Sequence, residues 1–203
     1  DAAFVEALSA ALSLPFICDA RPSNEAAFTE TTARALRLEF LRKAARHFEC
    51  EAIAYGHQLD DVIETQLQRI ARGCGSEGLA APRPVALFEQ DPKHLRPLLH
   101  LRAGHIRMTL NAVGIPWCED GSNDELSIAR NALRRQIIPD LANALGRDPA
   151  LGAARSRSLL EEDAAALDSL ARQQMPEAFR GAAKLARAAL RKTPPALLRR
   201  ALT

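Results

Sequence analysis

A short apolar strand that turns directly into a charged helix is the feature that most constrains the fold of this chain. Residues Ala52–Tyr55 have the character of a strand that ends at Gly56, and a helical pattern follows from Leu59 to Arg72. In open α/β sheets, ligands bind in the crevice beyond the carboxyl ends of the strands. We therefore expect this corner to line a functional site.

The predicted helix and the turn before it gather a histidine and three carboxylates on one side and aliphatic residues on the other, at about 100° per residue. Carboxylates in this arrangement bind Mg²⁺, neutralise an amine or relay protons. The alternative is a solvated helix face whose first-turn acids favour the helix dipole. The charged side consists of His57, Asp60, Asp61 and Glu64, and the aliphatic side of Leu59, Val62, Ile63, Leu67 and Ile70.

Helical and extended patterns alternate up to residue 145, which predicts an α/β domain whose parallel sheet is flanked by helices, as in Rossmann-like folds. An Ala-, Leu- and Arg-rich helical pattern then begins, so we predict an α/β domain over 1–145 and an all-helical domain over 146–203. Strands are predicted at Leu14–Cys18, Ala52–Tyr55, Val85–Phe88 and Ile115–Cys118, and helices at 29–48, 59–72, 102–113 and 128–145.

Charge and cysteine usage narrow the class of protein. The net charge is +2, but residues 176–203 hold seven basic residues and one acid. That segment suits a polyanion or a solvated helix face. None of the four cysteines forms a CxxC pair, which argues against a zinc ribbon and favours free thiols in a reducing cytoplasm. No apolar run is long enough to span a membrane.

Three groups of arginines are candidates for contacts with phosphates or ligands. Arg34 and Arg37 lie three residues apart on the predicted helix 29–48, and Arg72 precedes a glycine-rich segment. The run Arg130-Asn131-Ala132-Leu133-Arg134 offers several donors that suit RNA phosphates. Ordinary solvation of a helix face remains the alternative for Arg34 and Arg37 and for the run 130–134, whereas the segment after Arg72 is a weak match to a phosphate-binding loop.

Four motifs occur in order along the chain. G-H-Q-L-D-D-V-I-E-T at 56–65 continues into R-G-C-G-S-E-G-L at 72–79, and R-P-L-L occupies 96–99. W-C-E-D-G-S-N follows at 117–123 and R-N-A-L-R at 130–134. Together they resemble the tRNA(Ile)-lysidine synthase family of the PP-loop (N-type ATP pyrophosphatase) superfamily, and the resemblance extends from residue 1 to about residue 170.

The resemblance implies a ligase that modifies tRNA. Family members join free lysine to the wobble cytidine of an isoleucine tRNA, expected to carry a CAU anticodon, through an adenylated base, with ATP and Mg²⁺ as cofactors. By position, Asp61 and Glu64 would bind the lysine, with Arg37 near the same pocket. His57 and Asp60 would lie beside the adenylated intermediate, with Asp60 as a candidate Mg²⁺ ligand. The implied tRNA-binding residues are Arg72, Arg130, Asn131 and Arg134.

The chain departs from the family pattern at three places. Gln58 replaces the second histidine of the corner motif, and Gly121 replaces a proline. The PP-loop signature S-G-G-x-D-S, which in the family lies upstream, does not occur in these 203 residues. We therefore expect a truncated chain. A tRNA thiolase, a non-catalytic RNA-binding module and a metal-dependent hydrolase stay open as alternatives, and so does a homodimer.

Overall fold

The computed structural model describes residues 2–19, 30–88, 91–119, 129–175, 178 and 187–202. The chain divides into two compact units, one of residues 1–60 and 84–140 and the other of residues 61–83 and 141–203. In chain order the elements are α1 (Ala2–Ala11), α2 (Glu30–His47), β1 (Ala52–Ala54), α3 (Leu59–Arg72), α4 (Ser76–Leu79), β2 (Val85–Ala86), β3 (Lys93–Leu95), α5 (Ala103–Ala112), α6 (Ala129–Ala132), a π-helical turn (Leu133–Ile137), α7 (Ile138–Leu145), α8 (Pro149–Gln174), α9 (Arg187–Lys192) and α10 (Pro195–Ala201).

A three-stranded sheet in the order β1-β3-β2 lies in the first unit. Strand β1 pairs with β3 in parallel, with Ile53 opposite His94, whereas β2 pairs with β3 antiparallel. The prediction of a parallel sheet is therefore confirmed for the β1–β3 pair only, because the sheet of the described residues is mixed. The antiparallel pair arises because β2 and β3 are neighbours in the chain, and a short connection returns the backbone in the opposite direction.

Two predicted strands are absent from the described residues. Residues 14–19 and 115–119 have no regular structure, and the aliphatic side chains of Leu14, Ile17 and Ile115 are 58%, 43% and 44% exposed. Short apolar runs do not by themselves specify a strand, which also needs a partner for its backbone groups. Strand β3, in contrast, falls within a segment that the sequence pattern leaves irregular.

The predicted helices agree closely with the structure. Helix α3 begins at Leu59 and ends at Arg72 as predicted, and Gly73 then adopts a positive φ of 75°. Glycine reaches this left-handed conformation without a Cβ penalty, so it ends the helix cleanly. Leu59, Val62 and Ile63 are buried as predicted, but Ile70 is 61% exposed and lies outside the core.

All the regular secondary structure in the described part of the second unit is helical. Helix α8 begins with a capped first turn, because the Oδ1 atom of Asp148 accepts the Ala150 N–H at 2.9 Å and Pro149 occupies the first helical position. Ala164 and Ala171 are fully buried along α8, and small side chains of this kind let neighbouring helices approach. Helices α4 and α10 both pack against α8.

Candidate functional site

The corner motif occupies the carboxyl end of β1 and the first turns of α3. The Tyr55 N–H donates to the Leu95 carbonyl at 2.9 Å, so the chain stays paired with β3 for one residue beyond β1. The Leu59 N–H donates to the Leu101 carbonyl at 2.9 Å where α3 begins. Both ends of the turn 56–58 are therefore fixed by backbone hydrogen bonds.

Asp60 is held by the amino end of α5. Its Oδ2 atom accepts the Ala103 N–H at 2.9 Å, and its Oδ1 atom lies 3.2 Å from Nη2 of Arg102. Arg102 is the N-cap residue of α5 and provides no side-chain cap of its own. Asp60 thus supplies an oxygen that the first N–H groups of this helix lack, and its negative charge favours the helix dipole.

His57 is positioned by Arg96, the first residue of the R-P-L-L motif. The Nε atom of Arg96 donates to Nδ1 of His57 at 3.2 Å. Because a guanidinium is only a donor, Nδ1 must present its lone pair, and a neutral His57 then carries its proton on Nε2. The Tyr55 ring stacks on the His57 ring at 5.5 Å, and the Arg96 guanidinium lies 5.3 Å from the centroid of the Tyr55 ring.

A buried histidine supports this arrangement from β3. The Tyr55 hydroxyl lies 3.4 Å from Nε2 of His94, which is only 5% exposed. Burial lowers the pKa of His94, and the guanidinium groups of Arg96 and Arg42 lower it further, whereas Asp91 opposes them. Burial also raises the pKa of Tyr55 and lowers that of Arg96. The lowered pKa favours the neutral imidazole of His94 next to the Tyr55 hydroxyl.

The lowered pKa of His94 predicts a loss of stability in acid. Between its folded pKa and the ordinary value of about 6.5, the unfolded chain binds more protons than the folded chain. The unfolding free energy is therefore expected to fall as the pH drops through this window. Unfolding followed from about pH 8 to pH 5 measures the effect, and His94→Gln is expected to reduce the slope. The matched control is His100→Gln, which removes an exposed histidine; an equal reduction in both variants would contradict the prediction.

Asp61 and Glu64 lie one turn apart on α3 and are both buried. Asp61 is 7% exposed and Glu64 is 1% exposed. A solvated helix face would leave both carboxylates in water, so that alternative is wrong for these two residues. Burying an ionised carboxylate is costly unless its charge is compensated. The pair therefore concentrates negative charge in the interior at the start of α3.

The predicted arginines differ in their exposure. Arg37 lies exposed on α2, and Arg72 lies exposed at the end of α3. Arg130 and Arg134 are half-buried on α6 and the π-helical turn, and Asn131 between them is 7% exposed. Residues 120–123, which complete the W-x-x-D-x-S-N motif, lie outside the described residues.

The contacts of Asp60 bear on whether this residue could bind Mg²⁺. Both of its oxygens already meet donors of α5, and no group of three or more His, Cys, Asp or Glu side chains in the described part of the chain could hold a metal ion. These residues do not supply the oxygen-rich set that Mg²⁺ prefers. A Mg²⁺ ion at Asp60 stays a prediction.

Comparison with known sequences identifies the family of this chain. Residues 1–141 match the family profile described as a PP-loop domain. The chain belongs to the PP-loop domain family. Within this PP-loop domain, the matched region includes β1, the corner, α5 and the R-N-x-L-R segment. In the described residues, every helix is too short or too polar to cross a bilayer.

Several relatives of this PP-loop domain carry the name tRNA(Ile)-lysidine synthase. The protein of Solibacter usitatus (strain Ellin6076) is 37% identical over 142 residues, covering 70% of this chain and 31% of the relative. That of Geobacter sulfurreducens (strain ATCC 51573 / DSM 12127 / PCA) is 32% identical over 180 residues, covering 86% and 37%. That of Thermobifida fusca (strain YX) is 33% identical over 174 residues, covering 85% and 52%. The chain thus spans about a third to a half of these relatives.

Sequence reasoning did not predict the supporting roles of Tyr55, His94 and Arg96. His94 belongs to none of the four motifs, and the structure shows that it is buried beside Tyr55. Arg96 was part of a recognised motif but had no assigned contact. No local sequence signal marked these roles, because they depend on the parallel pairing of β3 with β1, which brings these side chains to the same edge.

Proposed function

We propose that this PP-loop domain takes part in the ATP-dependent ligation of free lysine to the wobble cytidine of an isoleucine tRNA. ATP would adenylate the base and so provide AMP as a good leaving group. The ε-amine of lysine would then form the new C–N bond as AMP leaves. The domain's own residues would bind the lysine, orient the activated base and hold the tRNA.

The burial of Asp61 and Glu64 is the observation that carries this proposal. Residues three apart on a helix contact one ligand together, and these two carboxylates are 7% and 1% exposed. An ammonium group is the natural counter-charge for such a pair. Fixing the amine against the activated base is the kind of positioning that lowers an activation barrier, since it removes the entropy of encounter.

His57 and Arg96 are suited to stabilise negative charge at the reacting centre. The hydrogen bond from Arg96 leaves Nε2–H of a neutral His57 as a donor. A donor at this position would stabilise negative charge on the adenylate, in the manner of preorganised hydrogen bonds in other acyl- and phosphate-transfer sites. Asp60 would act by capping the amino end of α5 rather than by contacting the substrate.

The arginines would recognise the nucleic acid and the amino acid. Arg72, Arg130 and Arg134, with Asn131, would contact tRNA phosphates, and Arg37 would lie near the lysine carboxylate. Arg72 is exposed and Arg130 and Arg134 are half-buried. The names of the relatives support tRNA as the substrate. The described residues provide no set of oxygen ligands that fits Mg²⁺. The roles proposed for these residues therefore do not depend on a bound metal.

Transfer of labelled lysine tests the proposed function. The full-length protein is incubated with ATP, Mg²⁺, labelled lysine and either an isoleucine tRNA with a CAU anticodon or the same tRNA with a changed wobble base. We expect label only in the first tRNA and only when ATP is present. Sulfur incorporation instead of lysine would favour a tRNA thiolase. Salt-sensitive RNA binding without any ATP dependence would favour a non-catalytic RNA-binding module.

A further inference from the structure

A cavity of about 550 Å³ lies within the second unit and is separate from the residues assigned above. Ligand pockets of about 300–1,000 Å³ are typical of proteins, so this one is large enough for more than a single small ion. Its walls come from α4 and the loop after it, the end of α3, α8 and α10. The lining residues are Arg69, Gly75, Ser76, Glu77, Gly78, Ala81, Arg83, Leu167, Ala196, Arg199 and Arg200.

The charge of this cavity is strongly positive. Four of the lining residues are arginines, and Glu77 is the one lining residue that has a carboxylate. Guanidinium groups bind phosphate oxygens in a bidentate manner, and several of them around one cavity attract a polyanion. The composition therefore points to a phosphate-bearing ligand.

Two of the arginines are fixed by the fold. Nη1 of Arg69 donates to the Gly78 carbonyl. Nη1 of Arg200 lies 2.5 Å from Oδ1 of Asp168, and the Arg200 side chain is only 7% exposed. These contacts tie α3 to α4 and α10 to α8. They hold charge at the wall of the cavity without requiring a ligand.

Glu77 occupies the cavity loosely. Its Oε1 atom lies 3.6 Å from Nη2 of Arg83, and its Oε2 atom lies 3.9 Å from Nη1 of Arg200. Charge-assisted hydrogen bonds are usually about 2.7–2.9 Å long, so both contacts are weak. The Glu77 side chain is also 58% exposed. An anion with better geometry would displace it at little cost.

We propose that this cavity binds phosphate groups, with Arg83 and Arg199 contacting them and Glu77 acting as an internal competitor. The phosphates are either a free pyrophosphate or neighbouring phosphodiesters of an RNA strand, since both present anionic, non-bridging phosphate oxygens to guanidinium groups. The RNA source rests on the proposed function, because it makes the cavity a contact for the proposed tRNA substrate. The pyrophosphate source does not.

Binding measurements on charge variants test this site. The full-length protein is titrated at fixed ionic strength with inorganic pyrophosphate and, separately, with a labelled single-stranded RNA pentamer. We expect Arg83→Gln and Arg199→Gln to weaken binding of one or both probes about tenfold, the effect of losing a charge-assisted hydrogen bond. Glu77→Gln is expected to tighten the same binding several-fold. The matched control is Arg191→Gln, which removes an exposed arginine that does not line the cavity.

The outcomes distinguish pyrophosphate from RNA as the ligand. They also distinguish a failure of this cavity proposal from a failure of the proposed function. Effects on pyrophosphate identify a small-phosphate site, and effects on the pentamer alone identify an RNA contact; either supports the proposal. Arginine variants no weaker than Arg191→Gln, or a Glu77→Gln variant that does not bind more tightly, would overturn it. Tighter binding by Glu77→Gln cannot arise from unfolding. Lysine transfer measured on the same samples shows independently whether the proposed function holds.

Discussion

Replacing Asp61 or Glu64 by its isosteric amide is expected to lower lysine transfer at least about 30-fold. Removing one charge from a buried, paired set costs about 2–5 kcal/mol, and about 1.4 kcal/mol corresponds to a factor of ten. Asp61→Asn and Glu64→Gln keep the volume of side chains that are 7% and 1% exposed. The fold should therefore survive while the counter-charge for the ε-ammonium is lost.

A matched control distinguishes this local effect from a change in overall charge. Glu51→Gln removes one carboxylate from the first unit, but the Glu51 side chain is 90% exposed. Transfer by Glu51→Gln should stay within about twofold of the unaltered protein, since exposed pairs contribute little. Initial rates at saturating ATP and tRNA, with lysine varied, provide the comparison. Unchanged rates in Asp61→Asn and Glu64→Gln would remove both residues from the mechanism.

The second large effect is expected at His57. Substituting His57 by Gln should lower transfer about 10²–10⁴-fold, the range for a positioned proton donor or acceptor. Arg96→Gln should lower it about tenfold to a hundredfold, because a hydrogen bond with a charged partner contributes about 1.5–3 kcal/mol. The smaller effect follows because Arg96 acts through His57, which it contacts at 3.2 Å.

The tautomer of His57 provides a readout that does not depend on activity. In ¹⁵N NMR spectra of neutral His57, Nδ1 should resemble an unprotonated imidazole nitrogen and Nε2 a protonated one. Arg96→Gln should mix the two tautomers and shift the pH profile of transfer, whereas the exposed control Arg46→Gln should do neither. A protonated Nδ1 in the unaltered protein would rule out the positioning role.

The sequence was sufficient to predict the helices because their periodicity is long and strong. Helix α3 begins and ends at the predicted residues, and α2 and α5 differ by one residue at each end. Gly73 marks the end of α3, and the buried Val62 belongs to the aliphatic face that packs inward. Both are local signals that can be recognised in the sequence. The buried start of α3 was also anticipated, as a corner that collects acids.

The strands of the sheet could not be predicted as accurately as the helices. Strands β1 and β3 have three residues each, and their pairing joins positions about 40 residues apart. Such pairing depends on tertiary contacts rather than on local pattern. For the same reason the contacts of His94 with Tyr55 and of Arg96 with His57 could not be predicted from the sequence. The apolar runs at 14–18 and 115–118 had the composition of strands but no partner in the described residues.

The most direct test of the central claim is the discrimination between lysine and norleucine. Norleucine has the same aliphatic side chain without the ε-ammonium, so it lacks the group that the buried acids would bind. Equilibrium binding of both amino acids to the full-length protein is compared with binding to Glu64→Gln. We predict that the unaltered protein binds lysine at least about 30-fold more tightly than norleucine, and that Glu64→Gln loses most of this preference. Equal affinities for the two amino acids in the unaltered protein, or a preference that survives the substitution, would contradict the assignment of Asp61 and Glu64 as the amine-binding pair.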